Sequence, residues 1–102
     1  IKVAILPLIK KDGLPEYAEK IFEDLKLNYN VIYDEKDAIG RRYRRQDAQG
    51  TPFCITVDHE SLIDNCVTLR YRDSMKQERV ETKKIIEILG SKLNYKSWLN
   101  KI

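Results

Sequence analysis

The sequence predicts an α/β domain, a mixed five-stranded sheet with its first three strands parallel, flanked by three helices. Short β-branched apolar runs alternate with segments whose apolar residues recur every three or four positions, which is the pattern of strands alternating with helices. The order is βαβαβ followed by ββα, and right-handed helical crossovers would make the first three strands parallel. The later strands are expected to add antiparallel pairing. A chain of 102 residues fits one such domain with a single core.

The first two strands and the first helix follow from this pattern. Residues 1–6 form a β-branched apolar run that Pro7 ends, which predicts a buried strand. After a polar loop, Leu14-Pro15 opens a helix, because proline is tolerated in the first turn. The buried face of this helix extends to about Leu27 and consists of Leu14, Tyr17, Ala18, Ile21, Phe22 and Leu25. Residues 31–33 are predicted to form the second strand.

An arginine-rich helix is predicted next. Asp37 is expected to cap it. The helix runs to Gln49, because Gly50 favours a helix end and Pro52 prevents continuation. One face of the helix consists of Ile39, Tyr43 and Gln46. The arginines lie opposite or flanking this face, with Arg42 at its border. The ring of Tyr43 is therefore either a core contact or a platform that stacks on a base.

The second half of the chain is predicted to contain three strands and a helix. Residues 53–58 and 67–72 are the third and fourth strands, and residues 77–80 are a short fifth strand. Alternation in the fourth strand separates the packed side chains Val67, Leu69 and Tyr71 from Thr68, Arg70 and Arg72 on the other face. Thr82 is expected to cap the last helix, which Gly90 ends.

Composition limits the kind of protein. Hydrophobic residues make up 42% and charged residues 34%, as in globular domains, and a net charge of +3 means that any nucleic-acid site must be local. No apolar run approaches the ~20 residues of a membrane helix, so no membrane partner is expected. The chain starts at Ile1 without an initiating methionine, so we expect a piece of a longer polypeptide. Its domain should be residues 1–90, followed by a tail, residues 91–102, for which a helix is one option.

No pattern in the sequence predicts an active site. The motifs GxGxxG, GxxxxGK[ST] and GxSxG are absent. Cys54 and Cys66 are expected to be reduced thiols of a cytoplasmic protein, since the chain has one histidine and no CxxC pair. His59 lies five residues from Cys54 along one strand and faces away, so the two are not expected to act as nucleophile and base. We therefore predict no catalytic residue, no metal and no cofactor in this chain.

Positive charge is concentrated in a run of four arginines and a tyrosine between Arg41 and Arg45. Guanidinium groups bind phosphates and base edges, and an aromatic ring between them can stack on a base. The run therefore indicates a local nucleic-acid surface. A solvated helix face is the alternative, although no lysine or glutamate interrupts the arginines.

Three blocks of the sequence resemble the C-terminal anticodon-binding domain of the homodimeric, class II glycyl-tRNA synthetases. The blocks are residues 38–47 (AIGRRYRRQD), 50–58 (GTPFCITVD) and 67–77 (VTLRYRDSMKQ). Residues 2–8 are similar to the first strand of that domain, so the resemblance covers about residues 1–90 and implies the class II anticodon-binding-domain fold. The chain departs from the family pattern at Tyr71, where an acidic residue is usual. It also departs at Ala38, Ala48, Gln49 and His59.

The resemblance implies a parent enzyme that uses ATP with Mg to attach glycine to tRNA(Gly), as a homodimer. The ATP and glycine motifs are not in this chain, so its expected partners are the tRNA(Gly) anticodon stem-loop and the parent's catalytic domain. Glycine codons begin with GG, so two anticodon bases are cytosines, which a carboxylate and an arginine together can recognise. The implied base readers are Arg70, Arg72, Asp73 and Glu78, with Asp58 nearby. The implied phosphate contacts are Arg41, Arg42, Arg44 and Arg45, and the implied stacking residue is Phe53 or Tyr43.

Each implied role has an alternative. Arg70 and Arg72 could pair with Asp58 and Asp73 in a structural ion network, Glu78 could solvate an edge strand, and Phe53 could belong to the core. A non-catalytic relative, such as an accessory subunit of a polymerase, is a rival function that should have lost the arginine-rich blocks. A small α/β enzyme or ligand-binding domain is a second rival, and it predicts no salt-dependent RNA binding.

Overall fold

One mixed sheet organises the chain, with helices packed on both of its faces. The structure, a computed structural model, describes residues 3–89. The strands are β1 (Val3–Pro7), β2 (Val31–Tyr33), β3 (Phe53–Val57), β4 (Cys66–Tyr71) and β5 (Gln77–Glu81). The helices are α1 (Leu14–Leu25), α2 (Ile39–Gln49), α3 (Ser61–Asp64) and α4 (Ile85–Leu89), and a 3-10 turn, Thr82–Lys84, leads into α4.

The strand order is β2-β1-β3-β4-β5. β1 pairs in parallel with both β2 and β3, with Val3 beside Val31 on one side and Phe53 on the other. β3 and β4 pair antiparallel, as do β4 and β5. The predicted mixed sheet, with its first three strands parallel and antiparallel pairing after them, is therefore confirmed.

The two faces of the sheet have different coverings. On the face that we call the α1 face, α1 and α4 cover the larger core, which includes Val3, Ile5, Leu14, Ile21, Ile55, Leu69, Ile85 and Leu89. On the opposite face, the α2 face, a smaller cluster of Ala4, Leu6 and Cys54 packs against Ile39 and Tyr43 of α2. Because strand side chains alternate between faces, each position of β4 and β5 is assigned to one face by its register.

The predicted caps of two helices are wrong. Ala38 occupies the N-cap position of α2 and provides no side-chain cap. Asp37 has a φ of 67°, and its carboxylate accepts a hydrogen bond from Arg45 instead. Thr82 lies inside the 3-10 turn, and its hydroxyl shares a hydrogen bond of 2.7 Å with the hydroxyl of Tyr17.

The single-turn helix α3 has no counterpart in the sequence prediction. Four residues are too few to show a helical period of apolar residues. Asp58 stabilises the turn, because its Oδ1 accepts hydrogen bonds from the backbone N–H and the hydroxyl of Ser61. The described part of the chain therefore has four helices and not three. Gly90 and the predicted tail, residues 91–102, lie outside the described residues. Within residues 3–89, no helix has the length and apolar character that crossing a membrane requires.

Candidate nucleic-acid interface

The four arginines of α2 fall into two groups that differ in environment. Arg42 and Arg45 are engaged by the rest of the domain, whereas Arg41 and Arg44 are exposed. Among residues 3–89, neither Arg41 nor Arg44 has a hydrogen-bond or ion-pair partner. Helical spacing explains the division, because α2 lies on the sheet and only part of its circumference faces solvent.

Arg42 is buried, with 2% of its surface exposed. Its Nη1 donates to the carbonyl oxygens of Pro7 and Asp34, and its Nη2 donates to that of Leu8 at 2.9 Å. Burial lowers its pKa. The guanidinium therefore ties α2 to the carboxyl ends of β1 and β2, and the implied phosphate contact of Arg42 is corrected to a structural role.

Arg45 is held by the carboxylates that follow β2. Its Nε and Nη2 donate to Asp34 at distances from 2.9 to 3.1 Å, and its Nη1 donates to Asp37 at 3.1 Å. Burial acts to raise the pKa of Asp34, but hydrogen bonds from Arg45, the Lys36 N–H and Gln46 lower it overall. The charge of Arg45 is thus balanced within the domain, so a phosphate would have to compete with Asp34.

Arg70 of β4 is paired with α2 by Asp47. Its two terminal nitrogens donate to the two carboxylate oxygens of Asp47 at 2.8 and 2.9 Å, and its guanidinium lies 4.7 Å from the centre of the Tyr43 ring. The Tyr43 hydroxyl shares a hydrogen bond of 2.5 Å with Thr56. Tyr43 is therefore a packing residue of the α2 face, and Arg70, 6% exposed, is a structural ion-pair partner. The partner is Asp47, not Asp58 or Asp73.

Arg72 and Asp73 lie in the loop between β4 and β5 and remain accessible. Arg72 donates from Nε to the carbonyl oxygen of Asp47 at 3.1 Å and from Nη1 to Asp73 at 3.3 Å. The side chains of Arg72 and Asp73 are 42% and 84% exposed. Both implied readers are therefore available, next to the C-terminal end of α2.

Phe53 and Glu78 lie on the other face of the sheet. Phe53 belongs to the larger core, and its ring meets that of Tyr71 edge-on, with centroids 5.6 Å apart. Tyr71 donates its hydroxyl proton to Glu78 at 2.5 Å. The implied stacking role of Phe53 is thus corrected to a core role, and Glu78 is separated by the sheet from Arg70.

Arg79 is a charged residue that the sequence analysis missed. Its guanidinium donates to Asp58 at 3.0 and 3.1 Å and to Asp64 at 3.1 Å, and it also reaches the hydroxyl of Thr68 at 3.4 Å. Burial alone would raise the pKa of Asp58, but hydrogen bonds from Arg79 and Ser61 outweigh burial, so the net effect is a lowered pKa. The sequence alone does not reveal this cluster, because it depends on the register between β4 and β5, which places Arg79 opposite Thr68. Asp58 is therefore a partner of Arg79 rather than a free base reader.

Four accessible charged residues define one candidate surface. We call it the α2–hairpin surface, after α2 and the loop of the hairpin that β4 and β5 form, and it consists of Arg41, Arg44, Arg72 and Asp73. Arg44 lies one helical turn before Asp47, whose carbonyl binds Arg72, so the helix and the loop are joined at this point. The surface has three guanidinium groups and one accessible carboxylate, a set that can bind phosphates and base edges.

Catalytic chemistry has no comparable support. Burial raises the pKa of the Cys54 thiol to about 11, so it is a poor nucleophile. No group of three or more histidine, cysteine or carboxylate side chains within the described residues could hold a metal ion. The α2–hairpin surface is therefore the candidate functional site.

Comparison with known proteins decides the family. Residues 2–92 match the family model described as the anticodon binding domain. The chain belongs to the anticodon-binding-domain family. Among curated relatives of this anticodon-binding domain, the glycine–tRNA ligase of Rhodopirellula baltica is 54% identical over 93 residues, and that of Treponema denticola is 55% identical over 97 residues. The resemblance to glycyl-tRNA synthetases is therefore confirmed.

The anticodon-binding domain is only part of those relatives. The matches cover 91% and 94% of this chain but 17% and 22% of the two ligases. The fold is also shared with the RNA-binding domain of threonyl-tRNA synthetase from Cryptosporidium parvum, with a TM-score of 0.79 over 88% of this chain and 23% of that one. Sequence identity to that protein is 22%, so this likeness concerns the fold alone.

Proposed function

We propose that this chain is the anticodon-binding part of a glycine–tRNA ligase and that it binds the anticodon stem-loop of tRNA(Gly). The observation that carries the proposal is sequence identity to proteins named glycine–tRNA ligase. The alignments cover more than nine-tenths of this chain, and more than half of the aligned residues are identical. The chain would act with a catalytic domain elsewhere in the longer protein. That domain would use ATP and Mg to attach glycine, and the cytoplasm is the expected location.

The α2–hairpin surface is the proposed RNA contact. Arg41 and Arg44 hold phosphates, because they are exposed and have no partner among residues 3–89. Arg72 and Asp73 read a cytosine, the guanidinium donating to its ring acceptors while the carboxylate accepts from its amine. The distance of 3.3 Å between Arg72 Nη1 and Asp73 Oδ1 supports this role, because it brings both groups together in one loop.

The proposal also includes the division of the chain into an anticodon-binding domain, residues 1–90, and a tail, residues 91–102. It further includes a homodimeric state of the whole enzyme. The rival accessory-subunit function is not favoured, because the arginine-rich blocks are intact and the relatives are named ligases.

The test is binding of the chain to an anticodon stem-loop with two central cytosines, compared with the same loop carrying uracils, over a salt series. We expect a preference for cytosine at moderate salt. Arg72→Ala should remove about 1–3 kcal/mol of that preference if base readout on RNA resembles that on DNA. Lys20→Ala is the matched control, because Lys20 is an exposed cation of α1 on the opposite face. Equal binding of both loops by the wild-type chain would contradict the reader assignment.

A further inference from the structure

The loop that joins β4 to β5 places an apolar side chain in an unusual backbone conformation. Four non-glycine residues among those described have positive φ, namely Asp12, Asp37, Asn65 and Met75. Aspartate and asparagine tolerate the left-handed region because their short polar side chains hydrogen-bond locally, whereas methionine has no such compensation. Met75 has a φ of 57° and is 67% exposed, so burial of its side chain does not offset the strain.

Hydrogen bonds hold this loop in place on both sides of Met75. The Tyr71 N–H donates to the Lys76 carbonyl at 2.9 Å, and the Lys76 N–H donates to the Ser74 hydroxyl at 3.3 Å. Arg72 donates from its backbone N–H to the Pro52 carbonyl at 3.0 Å and from Nε to α2. Met75 therefore projects from a fixed loop, and strain that persists in such a setting is a common mark of a functional position.

The chemistry around Met75 matches an unpaired nucleotide. Arg72 and Lys76 lie on either side of it in sequence and are exposed, and both can bind phosphates. A thioether is polarisable and makes favourable contacts with aromatic faces. Bases in RNA loops are unstacked and present such faces. The cations on both sides make RNA a better match for this tip than an apolar protein surface.

We propose that Met75 packs its thioether against the face of an unpaired base in the bound RNA loop, and that the left-handed backbone at this position directs the side chain toward it. The inference rests on the proposed function, because it requires RNA on the α2–hairpin surface. Met75 adds contact area that does not depend on which base is present, whereas Arg72 and Asp73 supply the preference for cytosine.

Replacement by glycine separates binding from folding. Met75→Gly removes the side chain and places at this position a residue that adopts positive φ without strain, so the melting temperature should equal or exceed that of the wild type. Affinity for the anticodon stem-loop should fall about two- to tenfold, the range of sulfur–aromatic contacts. Met75→Leu should recover most of the affinity. Asn65→Gly is the matched control, since it changes another left-handed residue at the end of α3 and should leave RNA affinity unchanged.

A direct readout is available because the sequence contains one methionine. The chain, released from a tag so that no initiator methionine remains, should show a single ε-methyl NMR signal when labelled with ¹³C at that methyl group. Binding of the stem-loop should move this signal upfield by the ring current of the base. Inorganic polyphosphate, which carries the charge without the bases, should leave it in place.

The outcomes separate the two proposals. If the wild-type chain binds the stem-loop but Met75→Gly binds equally well, or if polyphosphate moves the methyl signal as RNA does, the role of Met75 is refuted and the proposed function stands. Equal losses in Met75→Gly and Asn65→Gly would also refute it. If the wild-type chain binds no RNA at low salt, the proposed function fails and the role of Met75 fails with it.

Discussion

Asp47 and Arg70, which are 23 residues apart in sequence, form a bidentate ion pair that joins α2 to β4. The side chain of Arg70 is 7% exposed and that of Asp47 is 29% exposed. Hydrogen bonds from Arg70 lower the pKa of Asp47, and the carbonyl of Asp47 also binds Arg72. One residue of α2 therefore sets the position of both the helix and the hairpin loop.

Asp47→Ala should destabilise the domain by about 2 kcal/mol. Removing one partner of a fully buried pair costs ~3–5 kcal/mol, and we reduce that figure because the Asp47 carboxylate is partly solvated. Urea unfolding of the variant measures the change. Asp73→Ala is the control, since its carboxylate is 84% exposed and should change stability little. A loss no larger than that of the control would contradict the structural role of the pair.

Arg42→Met should destabilise the domain by about 2–4 kcal/mol, because three backbone carbonyls lose donors that carry a charge. Arg41→Met on the exposed side of α2 should stay within ~0.5 kcal/mol of the wild type. Thermal unfolding of the two variants separates the roles. Similar melting temperatures would mean that the buried guanidinium does not hold α2 to the sheet.

Acidification should destabilise the domain through carboxyls whose pKa is lowered in the folded state. Hydrogen bonds from Arg45 and other donors outweigh burial and lower the pKa of Asp34 from 3.8. Such a group binds fewer protons when folded, so its stabilisation is full above the unfolded pKa and is lost as the pH falls through the folded pKa. The free energy of unfolding should therefore decrease as the pH falls through and below the ordinary range of carboxyl pKa values.

The variant Arg45→Met tests the origin of this pH dependence. Without its hydrogen bonds to Asp34, the decrease in stability on acidification should be shallower than in the wild type. Arg41→Met changes an arginine that has no partner among the described residues and should keep the wild-type slope. Parallel pH profiles for Arg45→Met and the wild type would show that other carboxyls dominate.

Arg44→Ala should weaken binding of every RNA and reduce the slope of log affinity against log salt by about 0.7–0.9, the contribution of one phosphate contact. Arg41→Ala should have a similar effect. Lys20→Ala, which removes the same charge from α1, should leave the slope unchanged. The measurement is the affinity for one stem-loop at several salt concentrations, and an unchanged slope for Arg44→Ala would exclude the phosphate contact.

The strands, the direction of their pairing and the core could be predicted, because residue patterns and crossover connections are visible in the sequence. The alternation of Val67, Leu69 and Tyr71 with Thr68 and Arg70 placed each side chain of β4 on its observed face. The short turn α3 and the position of Thr82 could not be predicted, because hydrogen bonds to distant or non-periodic partners determine them.

The candidate site was only partly predictable, because charge alone does not show which arginines the fold itself uses. Arg42 and Arg44 are the same residue type on the same helix. Arg42 is 2% exposed and donates to three carbonyls, whereas Arg44 faces solvent. Glu78 and Arg79 are adjacent, and their faces depend on the β4–β5 register that pairs Leu69 with Glu78. Register and helix rotation are tertiary properties, so the sequence identified the arginine run but not the division within it.

The edges of the sheet have a consequence for assembly. The edge strand β2 has three residues. The other edge strand, β5, carries charged or amide side chains at four of its five positions, and its Arg79 donates hydrogen bonds to two carboxylates. Short or charged edge strands resist pairing with a strand from another molecule. We therefore expect this module to remain dispersed at high concentration, and any contact with neighbouring domains to involve its helices and loops rather than extension of the sheet.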